Sequence, residues 1–204
     1  LIIGGWQHAI FQALIIVMAV AIYYVFARRV DLLAYADEQE EADPVIPLLV
    51  VQVGDKPTQE PLVRTLDTIY DAWPELGPDA VANLFGEHQD LLVGQQGVPY
   101  IEPQRVQAAK HVRVLLAKSA ISTGWDCPRA EVLVSMRPAK DRTHITQLLG
   151  RMIRTPLARR IPGYELLNSV DCLLPFFDRK TATGVAEMLM RGATSKDEEV
   201  SDTG

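Results

Sequence analysis

At 204 residues, 48% of them hydrophobic, the chain is long enough to bury the core of one α/β domain with an appendage and too short for two complete domains. Its two cysteines, Cys127 and Cys172, stand far apart with no CxxC or Cys/His cluster, which excludes a disulfide framework or zinc site as the basis of the fold and suits a reducing cytoplasm. A formal net charge of −6 argues against a phosphate-rich partner in the total, but not in the distribution: residues 31–100 hold 2 basic and 14 acidic side chains, residues 101–160 hold 12 basic and 4 acidic.

The chain opens on Leu1 without an initiator Met, which leads us to expect part of a longer polypeptide. Residues 9–27 are apolar apart from Gln12 and two tyrosine hydroxyls, and as a helix would be about 28 Å long. Arg28 and Arg29 follow at once. Three readings of this segment stay open: a membrane anchor with the remainder on the cytoplasmic side, a helix buried all round against another domain, or an irregularity of the sequence. The run from Asp31 to Asp43 starts as a helical apolar stripe and ends as an acidic connector, so residues 1–44 form an N-terminal appendage and residues 45–192 the main domain.

Leu48–Val53, rich in valine and approached through Pro44 and Pro47, reads as a fully buried parallel strand. From Thr58 to Trp73 the apolar residues fall at helical spacing and Pro74 ends the run. Residues 80–85 suggest a second strand leading into Gly86, Glu87 and His88; residues 89–104 suggest a loop or insertion with a short helix after it. A third strand is expected through Val112, Val114 and Leu116, and a fourth over 132–134. Asp141 is placed to cap a helix through Arg154, with Ile145, Leu148, Leu149, Met152 and Ile153 on one face. A last strand (170–174) and helix (179–190) precede an acidic tail, 193–204, expected to be disordered. Strands alternating with helices imply an α/β fold, a parallel sheet sandwiched by helices, with an N-terminal apolar helix.

Two stretches carry chemistry. Lys118–Pro128, KSAISTGWDCP, follows a strand directly, where ligands of open α/β sheets bind. Gly124 permits a tight turn, Trp125 offers an apolar wedge, and the Asp126 carboxylate can accept hydrogen bonds from a ribose or an arginine. Taken alone this is equally a β-turn with a capping aspartate. Thr146–Pro156, TQLLGRMIRTP, sets Gln147, Arg151 and Arg154 at i, i+4 and i+7 on the helix side away from its apolar stripe. Gly150 costs about 1 kcal/mol in a helix interior and so asks for close approach of a ligand or a second backbone. Two guanidiniums one turn apart suit a triphosphate, although a solvated basic face has the same pattern.

In this order and spacing the two stretches resemble motifs V and VI of superfamily-two DEAD/DEAH-type helicases, and the run GWDCP, AEVLVSMRP, HITQLLGRMIRTP looks most like the helicase subunit of type III restriction enzymes. The resemblance extends over roughly residues 45–191. It implies a RecA-like second motor lobe in which Arg151 and Arg154 reach the γ-phosphate of ATP held with Mg²⁺ by an N-terminal RecA-like lobe, with Gln147 at the same interface. It also implies nucleotide-side roles for Gly124, Asp126 and Gly150. Lys118, Ser119, Thr123 and, at the end of the second strand, His88 would face the bound strand, expected to be DNA with RNA left open. Lys118 and Ser119 stand where many family members carry a Thr-Asp pair, so the backbone contact would differ in detail. A modification subunit is a further implied partner, in a defence setting. The sequence has no GxxxxGK[ST] phosphate loop, no DEAD-like magnesium box and no nuclease signature, so the chain by itself is expected to be inactive. The competing expectation is a membrane-tethered, non-catalytic α/β binding or regulatory module.

Overall fold

A computed structural model describes residues 3–38, 45–118, 127–137, 146, 161–176 and 178–188, with side chains from residue 12 onward. Five parallel strands form the central sheet: β1 (Leu49–Gln52), β2 (Val81–Leu84), β5 (Val114–Ala117), β6 (Val132–Ser135) and β7 (Asp171–Leu173), in the order β2-β5-β1-β6-β7. β1, β2, β5 and β6 are buried throughout, which is why they read as continuous apolar runs rather than alternating ones. The sheet is sandwiched: Leu49, Val51, Val114 and Val132 face one apolar cluster with helices α1 (Ile3–Glu38) and α2 (Gln59–Ala72). Leu48, Val50, Leu115 and Leu133 face a second cluster, with Val106 of the short helix α3 (Pro103–Val106) and Val185 of the helix at 179–188. The molecule is thus an α/β protein with a RecA-like parallel sheet and an N-terminal apolar helix.

α2 forms where its apolar spacing places it, burying Leu62, Leu66 and Ile69 on the sheet, and ends at Trp73, whose amide donates back to the Ile69 carbonyl at 2.8 Å. The expected loop or insertion at 89–104 contains an antiparallel hairpin, β3 (Leu91–Val93) and β4 (Gln96–Val98), and the short helix α3 comes after it. Gly94, at φ 62, makes its turn and lies so close to Val63 of α2 that an added Cβ would sit 3.3 Å from a Val63 methyl. The segment docks on β2 through Asn83, whose side-chain amide donates to the carbonyls of Val98 (2.9 Å) and Gln89 (3.2 Å) while its backbone bridges Tyr100. This covers the unpaired edge of the sheet.

α1 runs unbroken through the stretch expected to become a connector, as far as Glu38. Its buried residues Leu14, Met18, Ala21, Ile22, Val25, Arg28, Leu32, Tyr35 and Ala36 keep one helical stripe against α2, the sheet and the 3₁₀ turn at Glu165–Asn168. The opposite face is apolar as well, with Ile16, Tyr23 and Val30 each more than 60% exposed. By length and composition Gln12–Glu38 could cross a membrane, yet a third of its most apolar window is buried against the protein. Arg28 is not a flanking charge: it is fully buried, donating to Glu131 (3.1 Å), Asp171 (2.6 Å), the carbonyl and hydroxyl of Ser169 (2.7 and 3.2 Å) and the carbonyl of Leu166. Residues 39–44, the expected capped helix at 141–154 apart from the helical Thr146, and the tail from 189 onward lie outside the described residues.

Candidate functional site at the carboxyl edge of the sheet

Every strand of the sheet points its carboxyl end to the same rim. The chain leaves β1 toward β2 on one side and leaves β6 toward β7 on the other, so β1 and β6 flank the topological switch point where α/β sheets open a crevice. That crevice exists: a cleft of about 470 Å³ lies between the β1–α2 connection (Gly54, Lys56, Thr58), Met136 beyond β6, Phe176 and Leu14 of α1. Its floor is apolar and its rim carries Lys56 and Arg64, the latter paired with Glu60 one turn earlier on α2 at 2.5 Å.

The rim is stiffened by polar groups at the ends of apolar strands. Ser135 donates its hydroxyl to the side-chain carbonyl of Gln52 at 2.7 Å, and the Gln52 amide donates to the Lys118 carbonyl at 3.4 Å, so the ends of β6, β1 and β5 are tied in one line. Both residues are fully buried, and because hydrogen bonding offsets the cost of removing them from water, they fix the relative height of the three strand ends. Beyond β6, Arg137 grips Asp55 through two contacts, 3.1 and 2.9 Å, clasping the chain after β6 to the chain after β1.

Lys118 emerges at the carboxyl end of β5, as its position after an apolar strand implied. Its ammonium lies 4.4 Å from the centre of the Phe85 ring and 2.6 Å from a Glu87 carboxylate oxygen. The hydrogen bond from Lys118 holds the Glu87 carboxyl below its ordinary range. His88, at φ 54 in the turn after β2, stacks on Tyr100 at 5.1 Å between ring centres. Lys118 and the 85–88 turn therefore meet at one corner of the rim, with a cation and a stacked aromatic pair side by side. Ser119, Thr123, Gly124, Asp126, Gln147, Gly150, Arg151 and Arg154 lie outside the described residues. Both anchors of the 119–126 segment are described. Lys118 holds one end; at the other Cys127 donates to Gln107 at 3.3 Å and the buried Arg129 donates to the carbonyls of Ile46 (2.9 Å), Val106 (3.0 Å), Ala109 (2.9 Å) and Val112.

Sequence reasoning missed Gln52, Ser135 and the Asp55–Arg137 clasp. The signal for the first two was present: a polar residue closing an otherwise apolar strand, in LVVQ and VLVS. No family model and no curated protein matches this chain.

Proposed function

We propose that the chain is the second motor lobe of an ATP-dependent nucleic-acid helicase or translocase, DNA-directed and of the restriction-defence kind, working in the cytoplasm with an N-terminal RecA-like lobe and, by the same resemblance, a modification subunit. The supporting observation is that the GWDCP-containing segment, paired in sequence with TQLLGRMIRTP, starts from Lys118 at the carboxyl edge of a parallel sheet, on the same edge as the switch point between β1 and β6. Lys118 can lend a cation to a phosphodiester. His88 and Tyr100 can support a base at the same corner, and Ser119 and Thr123 follow in sequence.

On this reading Gly124, Asp126 and Gly150 belong to the nucleotide side. Arg151 and Arg154 neutralise charge on the transferred phosphoryl group, with Gln147 beside them, and the opposite lobe supplies the phosphate loop and the Mg²⁺ ligands. Opening and closing of the two lobes would then alternate the grip on the strand. Rigid tying of β1, β5 and β6 at their carboxyl ends suits a lobe that moves as one body. Steady-state ATPase assays on the protein joined to its phosphate-loop lobe test the proposal: Arg151→Ala or Arg154→Ala lowers turnover ~10³-fold or more with the fold intact. Turnover at the parent level in both variants would remove the role. A second reading, a membrane-tethered binding module without catalysis, draws its support from the exposed apolar face of α1.

A further inference from the structure

Lys118, at the carboxyl end of β5, is held from two sides: the Phe85 ring lies under its ammonium, 4.4 Å to the ring centre, and a Glu87 carboxylate oxygen reaches it at 2.6 Å. Among the described residues no second carboxylate does so. The partners differ in exposure, the lysine side chain being 14% exposed and the glutamate 59%. A lysine largely withdrawn from water needs an anion beside it, whereas a carboxylate that exposed can leave at little cost. The turn itself does not depend on the pair. The His88 amide donates to the Phe85 carbonyl at 3.1 Å, and the fully buried Asn83 side chain accepts from the Phe85 amide (3.1 Å) and donates to the Gln89 carbonyl (3.2 Å). The Glu87 carboxylate can therefore swing away while the turn, and the stack of His88 on Tyr100, stay in place.

From this geometry we infer that Glu87 is a built-in competitor of the nucleic-acid backbone: its carboxylate stands where a phosphodiester oxygen would meet Lys118, and it gives way when a single strand binds. The inference rests on the reading of this corner as strand-facing and adds how its grip is set. An ammonium is a compact point charge with three donors and takes a carboxylate or a phosphodiester oxygen alike, so the anions exchange without rearranging the lysine. The Phe85 face suits both states, because cation–π attraction acts on the lysine whichever anion lies opposite. What tips the exchange is the base next to the phosphate, which can lie against the His88–Tyr100 pair, as a small inorganic anion cannot. A ligand offering one charge alone only trades places with Glu87; a strand that stacks as well displaces it. The glutamate thus weakens binding in general and favours polynucleotide over simple anions.

Fluorescence anisotropy of the whole chain with a labelled single-stranded oligodeoxythymidylate, over a series of salt concentrations, reads the exchange. Glu87→Gln is expected to tighten binding about fivefold, since an exposed ion pair no longer has to be broken. It also steepens the fall of log K with log salt by about 0.7, because in the parent the displaced carboxylate takes up a cation as the strand releases one. Glu87 is exposed, so the variant keeps the fold. Lys118→Gln weakens binding and, combined with Glu87→Gln, abolishes the gain. Glu75→Gln, the same change of charge before β2 at the far edge of the sheet, leaves affinity within about twofold. Weaker binding by Lys118→Gln with no gain in Glu87→Gln overturns the inference and leaves the corner strand-facing. Equal binding by the parent and Lys118→Gln, or no binding by any of these chains, overturns the reading of the corner and the inference with it. A gain in Glu87→Gln that persists without Lys118, or that Glu75→Gln reproduces, is an effect of overall charge and overturns the exchange.

Discussion

α1 and α2 lie side by side on the same face of the sheet and are held there by different physics. α2 separates its faces: Leu62, Leu66 and Ile69 go inward, and Glu60 and Arg64 stay in water. Its position follows from burial alone. α1 is apolar on both sides, so burial by itself would not select one rotation about its axis; Ile16 and Tyr23 would bury as well as Met18 and Ile22. The selecting contact is polar. Arg28 has acceptors at one rotation only, where Glu131 before β6, Asp171 opening β7 and the turn around Ser169 converge. A buried charge network here does what amphipathicity does for its neighbour, in keeping with the use of buried polar groups to specify register.

The largest break in this comparison comes from removing Arg28. Arg28→Ala leaves Glu131 buried beside Asp171 without its cation, and loses an estimated ~3–5 kcal/mol of stability, read as a lower urea midpoint. Arg28→Met, of similar length and uncharged, should fare no better while the two acids remain. If either variant matched the parent midpoint, the network would have no part in seating α1. Next in size are the apolar truncations: Met18→Ala on α1 and Leu66→Ala on α2 each remove a fully packed side chain and cost ~2–5 kcal/mol. Similar losses would show that α1 belongs to the same cooperative core as α2. A Met18→Ala loss near zero would make α1 an appendage, as residues 1–44 were first read.

Both helices were legible as helices; why the seat of α2 was legible and that of α1 was not comes down to range. The period of Leu62, Leu66 and Ile69 and the stop at Pro74 are local signals, as are the valine-rich strands. Arg28 finds its partners 103 to 143 residues away, and nothing near position 28 tells a membrane-flanking arginine from a buried one. The β3–β4 hairpin was hidden because three-residue strands with Gly94 and Gly97 carry almost no alternation. Its anchor, Asn83, is a single polar residue inside an apolar strand. At the site, the place of Lys118 followed from its position after β5. The ties between Gln52, Ser135 and Lys118 required the strand order β5-β1-β6, which no local pattern encodes.

The same network makes a pH prediction. Burial pushes the Glu131 carboxyl up to about 7 from 4.5, against the opposing pull of Arg28. An acid whose folded pKa is raised keeps its proton in the folded state while the unfolded chain loses it. Its contribution to stability is therefore fully present below about 4.5, declines as pH rises toward about 7, and is flat beyond. Urea midpoints measured between pH 5 and 8, in the parent and in Glu131→Gln, isolate it: the difference between the two should narrow or reverse as pH rises and level off above about 7. A constant difference across the range would mean that Glu131 is ionised throughout and that Arg28 outweighs its burial.

The smallest effect bears on the outer face of α1. Ile16 and Tyr23 are 62% and 68% exposed, so Ile16→Lys and Tyr23→Lys remove little beyond the edge contact of Tyr23 with Tyr24 and should shift stability by no more than about 0.5 kcal/mol. In a helix that spans a bilayer the same changes are costly, about 2.5–3.5 kcal/mol for a lysine near the centre. The doubly substituted chain separates the two settings. If α1 is a surface helix of a soluble lobe, the variant stays folded without detergent and its far-ultraviolet spectrum matches the parent. If α1 is a membrane anchor, the parent partitions with lipid vesicles and the lysines release it. Arg28 sharpens the outcome, because its acceptors all belong to the lobe: to enter a bilayer α1 would have to leave Glu131 and Asp171 behind, and Arg28→Ala would then favour vesicle binding over the docked state.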